Sequence, residues 1–161
     1  MRNFSLHRFL AMLLMAVSSA TLSVAKNVAK IKSTEYATLE EAVNSVEQGT
    51  KGYIYILADA SFEDLRIEGK QIIINLQNHT VKGNAIDVYG KEGTDTYLKI
   101  LDSKAKGLSV DTQNNYSVSY TASGTLQLTR SITAYDGAKI TVESGTVVST
   151  TNFGAGGILR G

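Results

Sequence analysis

From Gly69 onward, apolar and polar residues alternate with unusual regularity. Ile72, Ile74 and Leu76 fall on one side of an extended chain and Ile73, Asn75 and Gln77 on the other, because strand side chains alternate with period two. The same phase returns at Ile86 and Val88, Leu98 and Ile100, Leu108 and Val110, then Tyr116, Val118 and Tyr120. It continues at Leu126 and Leu128, Ile132 and Ala134, and Ile140 and Val142. The residues opposite are mostly Asn, Asp, Ser, Thr, Lys and Gln, so each segment offers one face to a core and one to water. Gly, Asn, Asp or Ser corners separate these short strands, a spacing that a sandwich, a barrel or a stacked coil could supply.

Two repeats favour the coil. Gly69-x-x-Ile72-x-Ile74 recurs as Gly137-x-x-Ile140-x-Val142, and a looser version stands at Gly124-Thr-Leu126-Gln-Leu128, as rungs of a solenoid would leave them. Gly69 and Asn78 accept positive φ at little steric cost and so predict corners; His79, Gly83, Gly137 and Gly145 complete the predicted set. Asp136-Gly137 between two alternating runs is also a two-residue hairpin signal. The expected class is all-β and solenoidal, with an antiparallel β-sandwich as the alternative.

One segment has helical spacing. Leu39, Ala42, Val43 and Val46 line one face, Thr38 is placed to cap it with Glu41 as capping-box partner, and Gly49 ends it, which predicts a helix over about 38–47. So short a helix must lie on something apolar, and Tyr53–Leu57, apolar on both faces, is the expected support. Residues 26–52 thus read as a cap, with Val28, Ile31 and Tyr36 pairing with or covering a sheet edge. Residues 53–161 read as coils, with Phe62 and Leu65 or Ile67 adding to the core.

Residues 1–25 read as a signal peptide. Arg2, His7 and Arg8 form a basic start, Phe9 to Val17 an apolar run, and Ser23-Val24-Ala25 a small-residue cleavage site, with Ala20 the alternative. The apolar run is shorter than the roughly 20 residues a spanning helix needs, so no membrane insertion is expected after cleavage. The predicted location is secreted or cell-surface. Removing this segment takes Lys+Arg from 16 to 14 against 15 Asp+Glu, and the near-neutral balance gives no electrostatic case for nucleic acid or an anionic membrane. With no cysteine, neither disulfides nor thiolate metal sites hold the chain together, and one apolar core must do so.

The runs Tyr36–Val46, Tyr53–Asp59 and Ile67–Val81 resemble the amino-terminal cap and first coils of pectate-lyase-like right-handed parallel β-helix proteins of the bacterial secreted and surface type. The corner Leu76-Gln77-Asn78-His79-Thr80 is similar to their Leu-Asn-Gly-His-Thr corner, with Asn where glycine is usual, and Gly137–Val148 resembles a further coil. The resemblance implies a right-handed parallel β-helix with a short amino-terminal capping helix. It carries no catalytic signature, since that superfamily includes lyases, hydrolases, tailspikes and adhesins.

Candidate chemistry is sparse. His79 is the only histidine after export and lacks metal-ligand company, so a corner role accounts for it. Lyases of this type hold calcium with clustered acids beside a basic residue; Asp87, Asp102, Asp111 and Asp136 are the available carboxylates, and nothing in their spacing requires convergence. No catalytic residue, metal or cofactor is therefore expected, calcium being the one ion to look for. Tyr89, Tyr97 and Tyr135 are expected to face outward, where a ring could stack on a sugar. The segment Ala155–Gly161 reads as the middle of a coil, which predicts a longer protein or self-association through an open carboxyl-terminal edge. The expected function is a non-catalytic binding, adhesion or structural module for glycans or cell-surface proteins. The alternative is the amino-terminal part of a polysaccharide lyase or glycoside hydrolase.

Overall fold

The computed structural model describes residues 26–111, 117–149 and 159–160. The predicted signal segment and Tyr116 lie outside these. The chain opens with an antiparallel hairpin of β1 (Ala29–Ile31) and β2 (Thr34–Tyr36), followed by helix α1 (Leu39–Ser45). It then lays down β3 (Lys51–Ile56), β4 (Ala60–Ser61) and β5 (Asp64–Glu68), and next β6 (Gln71–Asn75), β7 (Thr80–Gly83) and β8 (Ala85–Tyr89). β6 lies parallel to β3, β7 to β4 and β8 to β5.

The cycle repeats with β9 (Tyr97–Leu101), is interrupted by an antiparallel hairpin of β10 (Lys106–Asp111) and β11 (Ser117–Ala122), and resumes with β12 (Thr125–Leu128) and β13 (Ile132–Tyr135). β14 (Lys139–Val142), β15 (Thr146–Ser149) and β16 (Leu159–Arg160) follow in the same order. The result is an all-β chain with three parallel sheets, β14-β9-β6-β3, β15-β12-β7-β4 and β16-β13-β8-β5. The first is extended by β1 and β2, with β1 antiparallel to β3. Parallel pairing across all three sheets does not fit the antiparallel sandwich.

Register explains the repeats. Ile72 pairs with Leu98 and Leu98 with Ile140, so the two Gly-x-x-Ile runs open strands of one sheet. The Gly124 version opens β12 in a different sheet. Ile54, Ile72, Ile74, Leu76, Ile86, Val88, Leu98, Ile100, Leu126, Leu128 and Ile132 are buried in one cluster, each contributing roughly 1.5–3 kcal/mol. Phe62, Leu65 and Ile67 join them. The predicted row ends less covered, with Ile140 half-buried and Val142 37% exposed.

The helix forms as its apolar spacing requires. Leu39, Ala42, Val43 and Val46 are all buried, and the Glu41 amide donates to Thr38 Oγ1 at 3.1 Å. The return bond runs from the Ala37 amide to Glu41 Oε2, one residue before the usual capping-box position. The helix ends at Ser45, before Gly49, whose φ of 75° belongs to the following turn. It packs on β1, β2 and β3 together, with Val28, Ile31 and Tyr36 beside it against the core.

Three expectations need correction, and one open choice, corner or hairpin at Asp136-Gly137, is decided. β3 is covered on one side only: Ile54 and Ile56 are buried, whereas Tyr53 is half-buried and Tyr55 38% exposed. The Leu108–Tyr120 alternation belongs to the β10–β11 hairpin, where Leu108 pairs with Tyr120 and Val110 with Val118; alternation is the same in parallel and antiparallel pairs. Asp136 and Gly137, with φ of 53° and 77°, join strands of different sheets, so they form a corner and not a hairpin. Gly83 lies within β7 without positive φ; a Cβ there would lie 2.1 Å from the Phe62 ring, so its role is close approach. The remaining predicted corners turn as expected, Gly69, Asn78 and Gly145 having φ of 60°, 66° and 91°.

Candidate functional site

On the outer face of the β5–β8–β13 sheet, parallel register aligns Glu68, Tyr89 and Tyr135. In-register side chains on adjacent parallel strands are near the 4.8 Å strand spacing, close enough for rings to stack. The Tyr89 and Tyr135 rings do so, with centroids 4.6 Å apart and planes 13° from parallel. The Arg66 guanidinium lies 3.9 Å from the Tyr89 centroid, and Arg66 Nη2 donates to Glu68 Oε2 at 2.9 Å. That hydrogen bond, more than any other influence, raises the guanidinium's pKa further. The Arg66–Tyr89 contact is a cation–π interaction on an exposed surface, where water weakens it.

The ladder redistributes the predicted aromatic surface. Tyr89 is half-buried between Arg66 and Tyr135, while Tyr135 is 40% exposed. Tyr135 is therefore the more exposed ring of the pair, with Tyr89 stacked between it and Arg66. Tyr97 stands apart on β9, paired with Gln71 and Lys139. Arg66 and Glu68 were not singled out by sequence pattern; their Arg-x-Glu spacing places both on one strand face, but only register shows that they meet Tyr89.

The Leu76–Thr80 corner is built around a carboxylate. Gln77 and Asn78 both have positive φ, and the Asn78 amide donates to Asp102 Oδ2 at 3.1 Å. Gly124 N also donates to Asp102 Oδ2, and Lys104 N to Oδ1 at 2.8 Å. Asp102 is only 3% exposed, and its side chain serves one backbone donor from the corner after β6 and two from the segments that flank the β10–β11 hairpin. It is thereby removed from the calcium candidates. His79 holds the corner through its amide, which donates to Leu76 O at 2.9 Å, and its Nδ1 lies 3.6 Å from Asp59 Oδ1. Asp87 is half-buried and Asp136 exposed, and among the described residues no three His, Cys, Asp or Glu side chains gather where a metal could bind.

Among the described residues no helix is long and apolar enough to cross a membrane. Compared with family models, curated proteins and solved structures, the chain matches none.

Proposed function

We propose that this chain is an exported, non-catalytic binding module of the right-handed parallel β-helix type, akin to pectate-lyase-like proteins. It presents Tyr135 to a glycan outside the cell. The observation that carries the reading is the Arg66–Tyr89–Tyr135 ladder, which fixes one exposed aromatic ring on a stiff sheet face. A preorganised ring costs little side-chain entropy on binding and offers its π-face to the C–H groups of a sugar.

Three features support the architecture. The strands recur in the same cyclic order through three sheets, parallel crossovers are right-handed in about 98% of cases, and a helix with an antiparallel hairpin closes the first strand's side. The export reading rests on the basic, apolar and small-residue series of residues 1–25.

A neutral-glycan array followed by titration calorimetry tests the binding role. Tyr135→Ala is expected to weaken the best glycan at least about five-fold, corresponding to about 1 kcal/mol, with unchanged circular dichroism. Equal affinity of wild type and variant would remove the ladder from the site. Incubation with polygalacturonate and calcium tests the non-catalytic claim: ultraviolet-absorbing unsaturated products would favour the lyase alternative.

A further inference from the structure

On a different part of the surface, a groove of about 530 Å³ runs along the ends of β3, β6 and β9. Its walls include Lys30, Lys32 and Lys104, with Tyr55, Gln77 and His79. Lys30 pairs directly with Tyr55 across β1 and β3, and Lys32 follows at the hairpin turn with a φ of 53°. Gln77 and His79 come from the corner after β6, and Lys104 from the turn after β9. Among the described residues no carboxylate lines the groove. Glu35, opposite Lys30 on β2, accepts from Asn27 Nδ2, and Asp59 stands at the rim near His79. None of the three lysines forms an ion pair with a described residue.

Three lysines lining one groove are a local excess of positive charge, since the whole chain is formally only +1. Such an excess attracts an anion. The arginine fork matches carboxylate and phosphate alike, whereas lysines act as movable point charges, the way they engage phosphate oxygens in phosphate-binding loops. Among the described residues no arginine lines this groove. Tyr55 adds an exposed ring for a carbon skeleton, and Gln77 is held at its Nε2 by Ser103 Oγ, leaving its carbonyl to accept from a hydroxyl. We propose that the groove binds a sulfate or phosphate ester carried on a sugar or polyol, independently of the Tyr135 surface.

Titration calorimetry of the purified chain with dextran sulfate, unmodified dextran, glucose 6-phosphate and polygalacturonate tests this. Binding is expected for dextran sulfate, glucose 6-phosphate or both, and which of the two binds identifies the ester. Affinity should fall with added salt and fall at least ten-fold in K30Q/K32Q/K104Q. A second variant, K26Q/K51Q/K91Q, removes the same charge outside the groove and should retain affinity within about two-fold. Folding of both is checked by circular dichroism. No binding to either ester, tighter binding to polygalacturonate, or equal losses in the two triple variants would each overturn the proposal. Tyr135→Ala should leave ester binding unchanged, which separates this groove from the glycan ladder.

Discussion

Asp102 illustrates what a single residue does in this fold and what its sequence context conceals. It follows an alternating strand and looks like any polar corner residue, yet its carboxylate receives three backbone amides, one of them from residue 78. Asp102→Ala leaves the buried Gly124 amide and two part-buried ones without this acceptor and is expected to cost on the order of 3 kcal/mol, read as a shift in urea midpoint. Asp102→Asn should cost less, because its carbonyl still accepts; equal losses would mean that packing, not amide satisfaction, matters here. Gly83 makes the complementary point. It was predicted as a corner from its type, but its constraint is the Phe62 ring, which is invisible without the fold. Gly83→Ala should lower stability by about 1–3 kcal/mol through overpacking, and Phe62→Leu in the same chain should recover part of the loss. Asn78, by contrast, was legible, because tolerance of positive φ is a property of the residue itself.

At the level of elements, strands and helix were legible from period, while partners were not. The inward rows from Ile72 to Ile132 follow from alternation, but the same alternation at Leu108–Tyr120 forms an inserted hairpin. Because β10 and β11 pair only with each other and Lys106 lies opposite Ala122, their removal should leave the stack intact. Replacing residues 107–121 by a short Gly-Ser linker is expected to preserve a single cooperative unfolding transition; loss of that transition would make the hairpin integral to the core. A distant lysine also meets the helix end: Lys70 Nζ donates to Val43 O at 3.0 Å, which accepts from the Val46 amide as well, and to Asn44 O at 3.4 Å. Burial lowers the Lys70 pKa from 10.5, so as pH rises toward that value the folded chain releases its proton first. Stability contributed by Lys70 therefore increases with pH in this window. Lys99 behaves oppositely: its hydrogen bond with Glu143 raises its pKa above 10.5, giving stabilisation that is present below 10.5 and lost as pH rises through the folded value. Urea midpoints across the alkaline range should thus show a shallower rise for Lys70→Met and a weaker alkaline decline for Lys99→Met.

At the scale of the whole molecule, the rows of Ile and Leu from three parallel sheets share one buried cluster, and the first strand of the first sheet needs cover of its own. At the β3 end, β1 occupies the strand edge and α1 seals the core with Leu39, Ala42, Val43 and Val46. The helix was legible because it breaks the period of two, whereas the arrangement of sheets needed long-range register that no local pattern carries. Terminal closure of this kind keeps a stacked sheet from recruiting other chains. Val43 is 0% exposed, so Val43→Asp places a carboxylate in the apolar seal at a cost of at least about 3 kcal/mol. The charge is best relieved by lifting the helix rather than by unfolding every sheet, because the helix packs chiefly on β1, β2 and β3. The expected outcome is a chain that keeps its β-type circular dichroism but associates with rising concentration in light scattering. Asn44→Asp, on the exposed side of the same turn, should stay as wild type. A Val43→Asp chain that remained monomeric and only melted earlier would show that α1 contributes stability without guarding the end of the stack.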